Sequence, residues 1–376
     1  MSPAIYLDYN ASAPVRPEAA EAVAEALRLG GNPSSVHAAG RSARGLVETA
    51  RAEVAALIGA APAAVTFVSG GTEANALAMA SAIAAGCARL VVGATEHDAV
   101  RETAAAGGLP VETLPVDGAG VADLDCLTRS LAAGPRALVC LMLANNETGV
   151  IQPIAEAARI VHDAGGWLHV DAVQAAGKIA IDGEVLGADT WALSAHKLGG
   201  PQGIGALIAA PGAVLVRQIH GGGQERGRRA GTENVPGAAG FGAAARAAMR
   251  DLPRLAPQSA WRDALAARLV EAGAEVLGRD APRLPQTLCL AAPGWSSETQ
   301  VMALDLAGVM ISAGAACSSG KVKSSGVALA MGRADLADSV VRISGGWAST
   351  PDDWRRCGDV WLDLHAARAA RARKVA

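Results

Sequence analysis

Short apolar runs alternate with Ala-rich helical segments over the first two hundred residues, and this alternation constrains the fold more than any other feature of the sequence. The runs fall at 64–68 (AVTFV), 89–94, 111–116, 137–144 (ALVCLMLA), 167–172 (WLHVDA), 188–194 and 204–210. Between many of them lie helical stretches at 73–85, 98–106, 123–132 and 154–164. Continuous apolar strands joined through helices imply crossover connections and a largely parallel sheet covered on both faces. Beyond the Gly-rich stretch at 220–240 the pattern changes. Helical runs near 237–250 and 258–277 lead to strands near 286–291 and 340–344. The expected organisation is a large α/β domain over 16–250 and a smaller α/β domain over 251–376, with segment 1–15 packing on the smaller one.

Composition removes several classes of function. The 376 residues carry a formal net charge of -3, which leaves no basic footprint for direct nucleic-acid binding. The apolar stretches are broken by charge well before the roughly 20 residues of a membrane span, and the opening MSPAIYLDYN lacks the pattern of an export signal. Six cysteines without CxxC spacing fit a reducing cytoplasm better than a disulfide framework. Familiar signatures also fail. GAACSSGKV at 314–322 has one residue too many before Gly-Lys and Val322 where a phosphate loop needs Ser or Thr. No GxGxxG follows a strand, HGGG at 220–223 has no GxSxG elbow to serve, and no HExxH or paired-Cys spacing suggests a metal site.

In an open parallel sheet, ligands gather beyond the carboxyl ends of the strands. Ser69-Gly70-Gly71-Thr72-Glu73 follows the 64–68 run and opens a helix, with Thr72 expected at the N-cap. Such a turn offers free N–H groups to a phosphate, although taken alone it is an ordinary helix cap. Asp171 ends WLHVDA, where it could face a protonated ring nitrogen or merely cap the next turn. Ser194, His196 and Lys197 follow the next run. Lysines are mostly surface charges, but one desolvated at a strand end is a candidate Schiff-base former. Phosphate turn, strand-end Asp and strand-end Lys occur in the order needed to grip pyridoxal phosphate: the Asp keeps the ring nitrogen protonated and the Lys holds the aldehyde.

With these residues in place, the sequence resembles the cysteine desulfurases of the NifS/IscS type, class V of the fold-type I pyridoxal-phosphate enzymes. The resemblance runs nearly end to end, from YLDYNASAPVRPE at 6–18 through GNPSSVHAAGRSAR at 31–44 to RISGGW at 342–347. It implies a seven-stranded, mostly parallel sheet in the large domain. Lys197 of SAHK would carry the cofactor, Asp171 of HVDAVQ would pair with the pyridinium, and Gln174 would hydrogen-bond the phenolic oxygen. His97 of TEHDAV would stack on the ring and assist proton transfer. Asn146 of NNETG would lie near the phenolic oxygen and the substrate. Gly71, Thr72, Ser194 and His196 would hold the phosphate. Thr232 of RRAGTEN would reach the phosphate of a neighbouring subunit, which requires a homodimer, and Arg342 would clamp the substrate carboxylate. Two positions depart from the common family wording: Ser12-Ala13 stands where a Thr pair is frequent, and Gly345-Gly346-Trp347 replaces a Leu-Gly form.

The nucleophile is expected at Cys317. Cys140 and Cys289 sit in apolar runs, while Cys87, Cys126 and Cys357 lie on or beside helical ones. Only Cys317 has small neighbours and two nearby lysines, in AGAACSSGKVKSSG, a setting that favours access and thiolate. The implied activity is desulfuration of L-cysteine to L-alanine with a persulfide on Cys317, passed to a protein acceptor such as an iron–sulfur scaffold. The length of the Cys317–Gly332 loop resembles the group that serves such scaffolds directly. A selenocysteine lyase or a class V aminotransferase on the same scaffold is the nearest alternative, and a non-catalytic sulfur carrier is a more distant one.

Overall fold

A computed structural model describes residues 4–314 and 324–375. After a short strand β1 (Ile5–Tyr6), the chain builds β2 (Val65–Val68), β3 (Arg89–Gly93), β4 (Val111–Leu114), β5 (Ala137–Cys140), β6 (Trp167–Asp171), β7 (Thr190–Ser194) and β8 (Gly205–Ala209). These last seven form one sheet in the order β2-β8-β7-β6-β5-β3-β4. All its neighbours run parallel except β8, which is antiparallel to both β2 and β7. Strands β5, β6, β7 and β8 are buried along their whole length, as strands sandwiched between helix layers must be. The architecture is the mostly parallel α/β sheet of fold-type I.

Helices Pro17–Leu29, Ala38–Ala56 and Val235–Leu255 share the apolar cluster on one side of this sheet with Phe67, Trp191 and Phe241. Their Ala and Gly content sets how closely they approach. A Cβ on Gly242 would stand 2.6 Å from the Cα of Ala50 in the facing helix.

The remaining strands are β9 (Glu275–Val276), β10 (Thr287–Ala291), β11 (Val309–Met310), β12 (Ser312–Ala313) and β13 (Val340–Ser344). They form a four-stranded sheet, β12-β13-β10-β9, and a parallel pair of β1 with β11. A second core gathers Trp295, Trp354 and Trp361 with Leu288, Ile343 and the N-terminal Ile5 and Leu7. We propose that the two cores are the two domains expected from the sequence. The membership of Ile5 and Leu7 supports assigning segment 1–15 to the smaller one, and the long helix Val235–Leu255 carries the chain across the expected boundary at 250/251. Gly346 sits where any side chain would strike the ring of Tyr9, 1.9 Å from an added Cβ, and at Gly345, which stands in place of the common Leu, an added Cβ would lie 2.5 Å from Gln258 Oε1 and 3.0 Å from Trp354.

Several strands end earlier than their apolar runs. Residues 141–144 leave the sheet after Cys140, although all four are buried. Leu141 N and Leu143 N still donate to the β6 carbonyls of His169 and Asp171 at 3.1 and 2.9 Å, while Met142 and Ala144 line the space beyond the strand end. Helix Gln258–Glu271 likewise stops short of 277, and β9 takes up Glu275–Val276.

Candidate active site

The carboxyl ends of β2, β3, β5, β6 and β7 converge on one cavity of about 270 Å³. Its wall includes Gly71, Thr72, His97, Asn146, Asp171, Gln174, Ser194, His196 and Lys197, nine of the residues expected from sequence. Helices and turns that begin at strand ends place them together, which is the physical content of the strand-end rule.

The helix after β2 starts at Gly71 with Gly70, not Thr72, as its N-cap. Thr72 is therefore the second helical residue, and its side chain is free of the capping role expected of it. Gly70 has no side chain, so no side-chain oxygen satisfies the first-turn N–H groups from the cap. Glu73 folds back to accept from Ser69 N at 2.8 Å and is held by Arg229 at 2.9 Å. Gly71 is packed tightly: an added Cβ would lie 2.9 Å from Val173 Cγ2.

His97 caps the helix that follows β3, its Nδ1 accepting from Ala99 N at 3.1 Å. That bond uses the Nδ1 lone pair, so the neutral ring carries its proton on Nε2. Next to it, Glu96 is buried, and burial followed by the charge of Asp171 raises its carboxyl to about 8. Glu96 is then protonated at neutral pH, and Asp171 does not face a second carboxylate charge.

Asp171 is buried at the end of β6. Its Oδ1 accepts from Val173 N at 2.9 Å, which is the capping bond allowed by the sequence, and its Oδ2 accepts from Asn75 Nδ2 at 2.9 Å. Asn75 Oδ1 lies 2.8 Å from His169 Nε2, and His169 Nδ1 lies 3.0 Å from Thr190 Oγ1. Because the Asn75 amide nitrogen donates to Asp171, its oxygen faces His169, which must donate from Nε2. Burial lowers His169 to about 4, in keeping with a neutral ring. Neither Asn75 nor His169 stood out in the sequence. The available signals were spacing: Asn75 lies one helical turn beyond Thr72, and His169 shares a strand face with Asp171.

Lys197 closes a 3-10 turn, Ala195–Lys197, after β7. Its Nζ donates to the carbonyls of Asn10 at 2.7 Å and Ala11 at 3.0 Å. Burial first, and Arg342 second, lower its pKa to about 8 against the opposing charges of Asp171 and Asp8. His196 is lowered to about 4 by burial and by Lys197 and Lys178. The unusual Ser12 keeps a hydroxyl in the site, 3.2 Å from His196 Nδ1.

Two expected residues, Arg342 and Thr232, stand apart from this cavity. Arg342 is buried on β13, with NH2 on Asp8 Oδ1 at 2.7 Å and NH1 on the carbonyl of Asn146 at 3.1 Å. Thr232 is exposed in a neighbouring groove with Phe67, Ser69 and Arg229. Cys317 lies outside the described residues. The chain departs toward it from β12, whose Ser312 is paired with Arg342, and returns at Ser325, whose Oγ donates to Glu147 Oε2 at 2.6 Å. The other cysteines have structural settings. Cys140, Cys289 and Cys357 are fully buried, and burial pushes their thiols up.

Residues 5–356 match the aminotransferase class-V family. The chain belongs to this family. Within it, the chain groups with cysteine desulfurases. A cysteine desulfurase from Cereibacter sphaeroides is 42% identical over 339 residues, covering 87% of this chain and 86% of that one. A NifS-like protein from Rickettsia africae superposes with a TM-score of 0.89 at 31% identity, over 96% of this chain and 99% of that one. SspA, solved in complex with cysteine, superposes with a TM-score of 0.79 at 28% identity, over 92% of this chain and all of that one. Class V enzymes of this kind use pyridoxal phosphate generally, and the likeness to cysteine desulfurases leaves selenocysteine lyase and aminotransferase as less favoured readings.

Proposed function

We propose that this cysteine desulfurase binds pyridoxal 5'-phosphate in the cavity at the strand ends and transfers sulfur from L-cysteine to Cys317. The observation that carries the reading is the convergence of Lys197, Asp171 and the Gly71–Thr72 helix start on one cavity. The donor set fits the cofactor group by group. Free amides suit a phosphate, a buried carboxylate suits a protonated ring nitrogen, and an amine lowered to about 8 suits an aldehyde. When bound, pyridoxal phosphate supplies the electron sink that makes the substrate's α-proton acidic.

The chain's own residues would do the rest. Gly71, Thr72, Ser194 and His196 hold the phosphate, the last as a neutral ring. Asp171 holds the proton on the ring nitrogen, itself oriented by Asn75 and Val173 N. Gln174 and Asn146 lie on the side of the phenolic oxygen. Lys197 holds the aldehyde and, once released, its amine can move the α-proton. His97 Nε2 serves as a second proton carrier. Arg342 receives the substrate carboxylate by exchanging it for Asp8, a like-for-like replacement of one carboxylate by another. The Cys317 thiolate attacks the substrate sulfur. Its lone pair forms the new S–S bond, the carbon–sulfur pair stays with the carbon fragment, and protonation there gives L-alanine and a Cys317 persulfide.

That both ends of the Cys317 segment join the fold beside Arg342 and Glu147 supports delivery of this thiol to the site. The exposed Thr232 supports a homodimer in which it serves the neighbouring subunit's phosphate. A protein acceptor such as an iron–sulfur scaffold would take the sulfur onward, in the cytoplasm. No helix among the described residues is long and apolar enough to cross a membrane.

Incubation with L-cysteine, scoring alanine and sulfide together, tests the reading. Cys317→Ala should keep the cofactor absorbance and lose sulfide release. Undiminished release would refute the role of Cys317, and amino transfer in place of desulfuration would refute the activity.

A further inference from the structure

Lys178 is a second lysine amine behind the site, and it has no place in the chemistry above. It is buried, four residues after Gln174, and its Nζ donates to Gln174 Oε1 at 2.7 Å and to Asn10 Oδ1 at 3.0 Å. Both acceptors are themselves committed. Gln174 Nε2 donates to the carbonyl of Asn10 at 2.9 Å, and Asn10 Nδ2 donates to Thr287 Oγ1 at 3.0 Å and to the carbonyl of Asn146 at 3.2 Å. The same Asn10 carbonyl accepts from Lys197. Two amides, two amines and one peptide group thus form a single closed cluster under the cavity wall.

Such an amide has two orientations of similar shape and opposite polarity. An amine in either protonation state presents N–H bonds to these two oxygens, so it selects the orientation in which each amide turns its oxygen toward Lys178. We propose that Lys178 is a positioning residue that locks the Gln174 amide with its oxygen turned away and its NH2 group available to an anionic oxygen of a ligand in the cavity. The proposal rests on the pyridoxal-phosphate reading, in which that ligand atom is the phenolic oxygen. Flipping Gln174 would set a carbonyl against it and would break the bonds to both Lys178 and Asn10.

The charged and titratable groups that face Lys178 are Lys197, Arg342 and His196, and burial leads them all in lowering its pKa. A charged or a neutral Lys178 makes the same two bonds, so the proposal holds for both. A donor hydrogen bond to the phenolic oxygen favours its anionic form and lowers the basicity of the chromophore. Losing it moves the transition in the opposite direction.

The test is the pH titration of the cofactor absorbance of the loaded enzyme without substrate, for wild type, Lys178→Met, Gln174→Met and the double variant. Lys178→Met should raise the midpoint by roughly one pH unit, a tenfold change in proton affinity. Gln174→Met should raise it similarly, and the double variant should match Gln174→Met alone, because Lys178 acts through Gln174. Lys178→Gln keeps an N–H donor and should give an intermediate midpoint; it carries the test if Lys178→Met does not fold. An unmoved midpoint, or two shifts that simply add, would overturn the inference while leaving the cofactor assignment standing. A wild-type protein that gains no absorbance band with pyridoxal phosphate would overturn both.

Discussion

The ionisation of Lys197 offers the most direct check on the site. A lysine in water ionises near 10.5, whereas burial and the Arg342 charge bring this one to about 8. The difference corresponds to about 3 kcal/mol, and at pH 7 it raises the free-amine fraction from a few in ten thousand to roughly a tenth, about 300-fold. Only the free amine can capture an aldehyde. Apoprotein should therefore bind pyridoxal phosphate covalently at a rate that climbs about tenfold per pH unit from 6 to 8 and levels off above that. Stopped-flow absorbance on apoprotein gives the profile directly, with borohydride trapping to confirm attachment at Lys197. Arg342→Gln removes the largest nearby positive charge and should move the midpoint upward. A rate that keeps climbing to pH 10 without levelling, or a midpoint that falls in Arg342→Gln, would refute the argument that desolvation and Arg342 prepare this amine.

Other consequences are simpler to read. Gly71→Ala places a Cβ 2.9 Å from Val173 Cγ2 at the start of the helix proposed to hold the phosphate. The helix start or Val173 must shift, and the dissociation constant for pyridoxal phosphate should rise about tenfold, roughly 1.4 kcal/mol, in an equilibrium titration. Glu225 holds Arg51 through two bonds of 2.7 and 2.9 Å, accepts from Phe67 N at 2.9 Å, and is buried with it under the 31–44 region. Glu225→Ala leaves the buried Arg51 guanidinium with only the half-exposed Glu48 carboxylate and the Val65 carbonyl as partners, and should cost about 3 kcal/mol in denaturant unfolding. A loss below about 1 kcal/mol would show that water reaches Arg51.

The fold and much of the candidate site were legible in the sequence because both depend on local pattern. Apolar runs alternating with helices dictate a parallel sheet, and a parallel sheet dictates where a ligand can sit. Asp171 and Lys197 could be singled out because each directly ends a strand. The network behind them could not be read this way. Asn75, His169, Asn10 and Lys178 are ordinary polar residues in sequence, and their importance comes from distant partners, such as Asn75 for His169, 94 positions away, and Asn10 for Lys178, 168 positions away. Thr72 was misplaced at the cap for a local reason, since Gly70 in an extended conformation takes the capping position without any side-chain bond.

The sequence by itself determined the chemistry: which residues could hold a phosphate, a ring nitrogen and an aldehyde, and which cysteine has the setting of a reagent. Those choices follow from residue type and strand-end position, which one chain carries without any long-range contact. Tertiary structure alone decided the electrostatics. Lys197 ionises near 8 because distant segments bury it beside Arg342, Glu96 is raised to about 8 by burial first and by the charge of Asp171 second, and Arg342 waits on Asp8 because β13 lies beside the N-terminal segment. Burial and charge proximity belong to the packed chain, and no run of letters contains them.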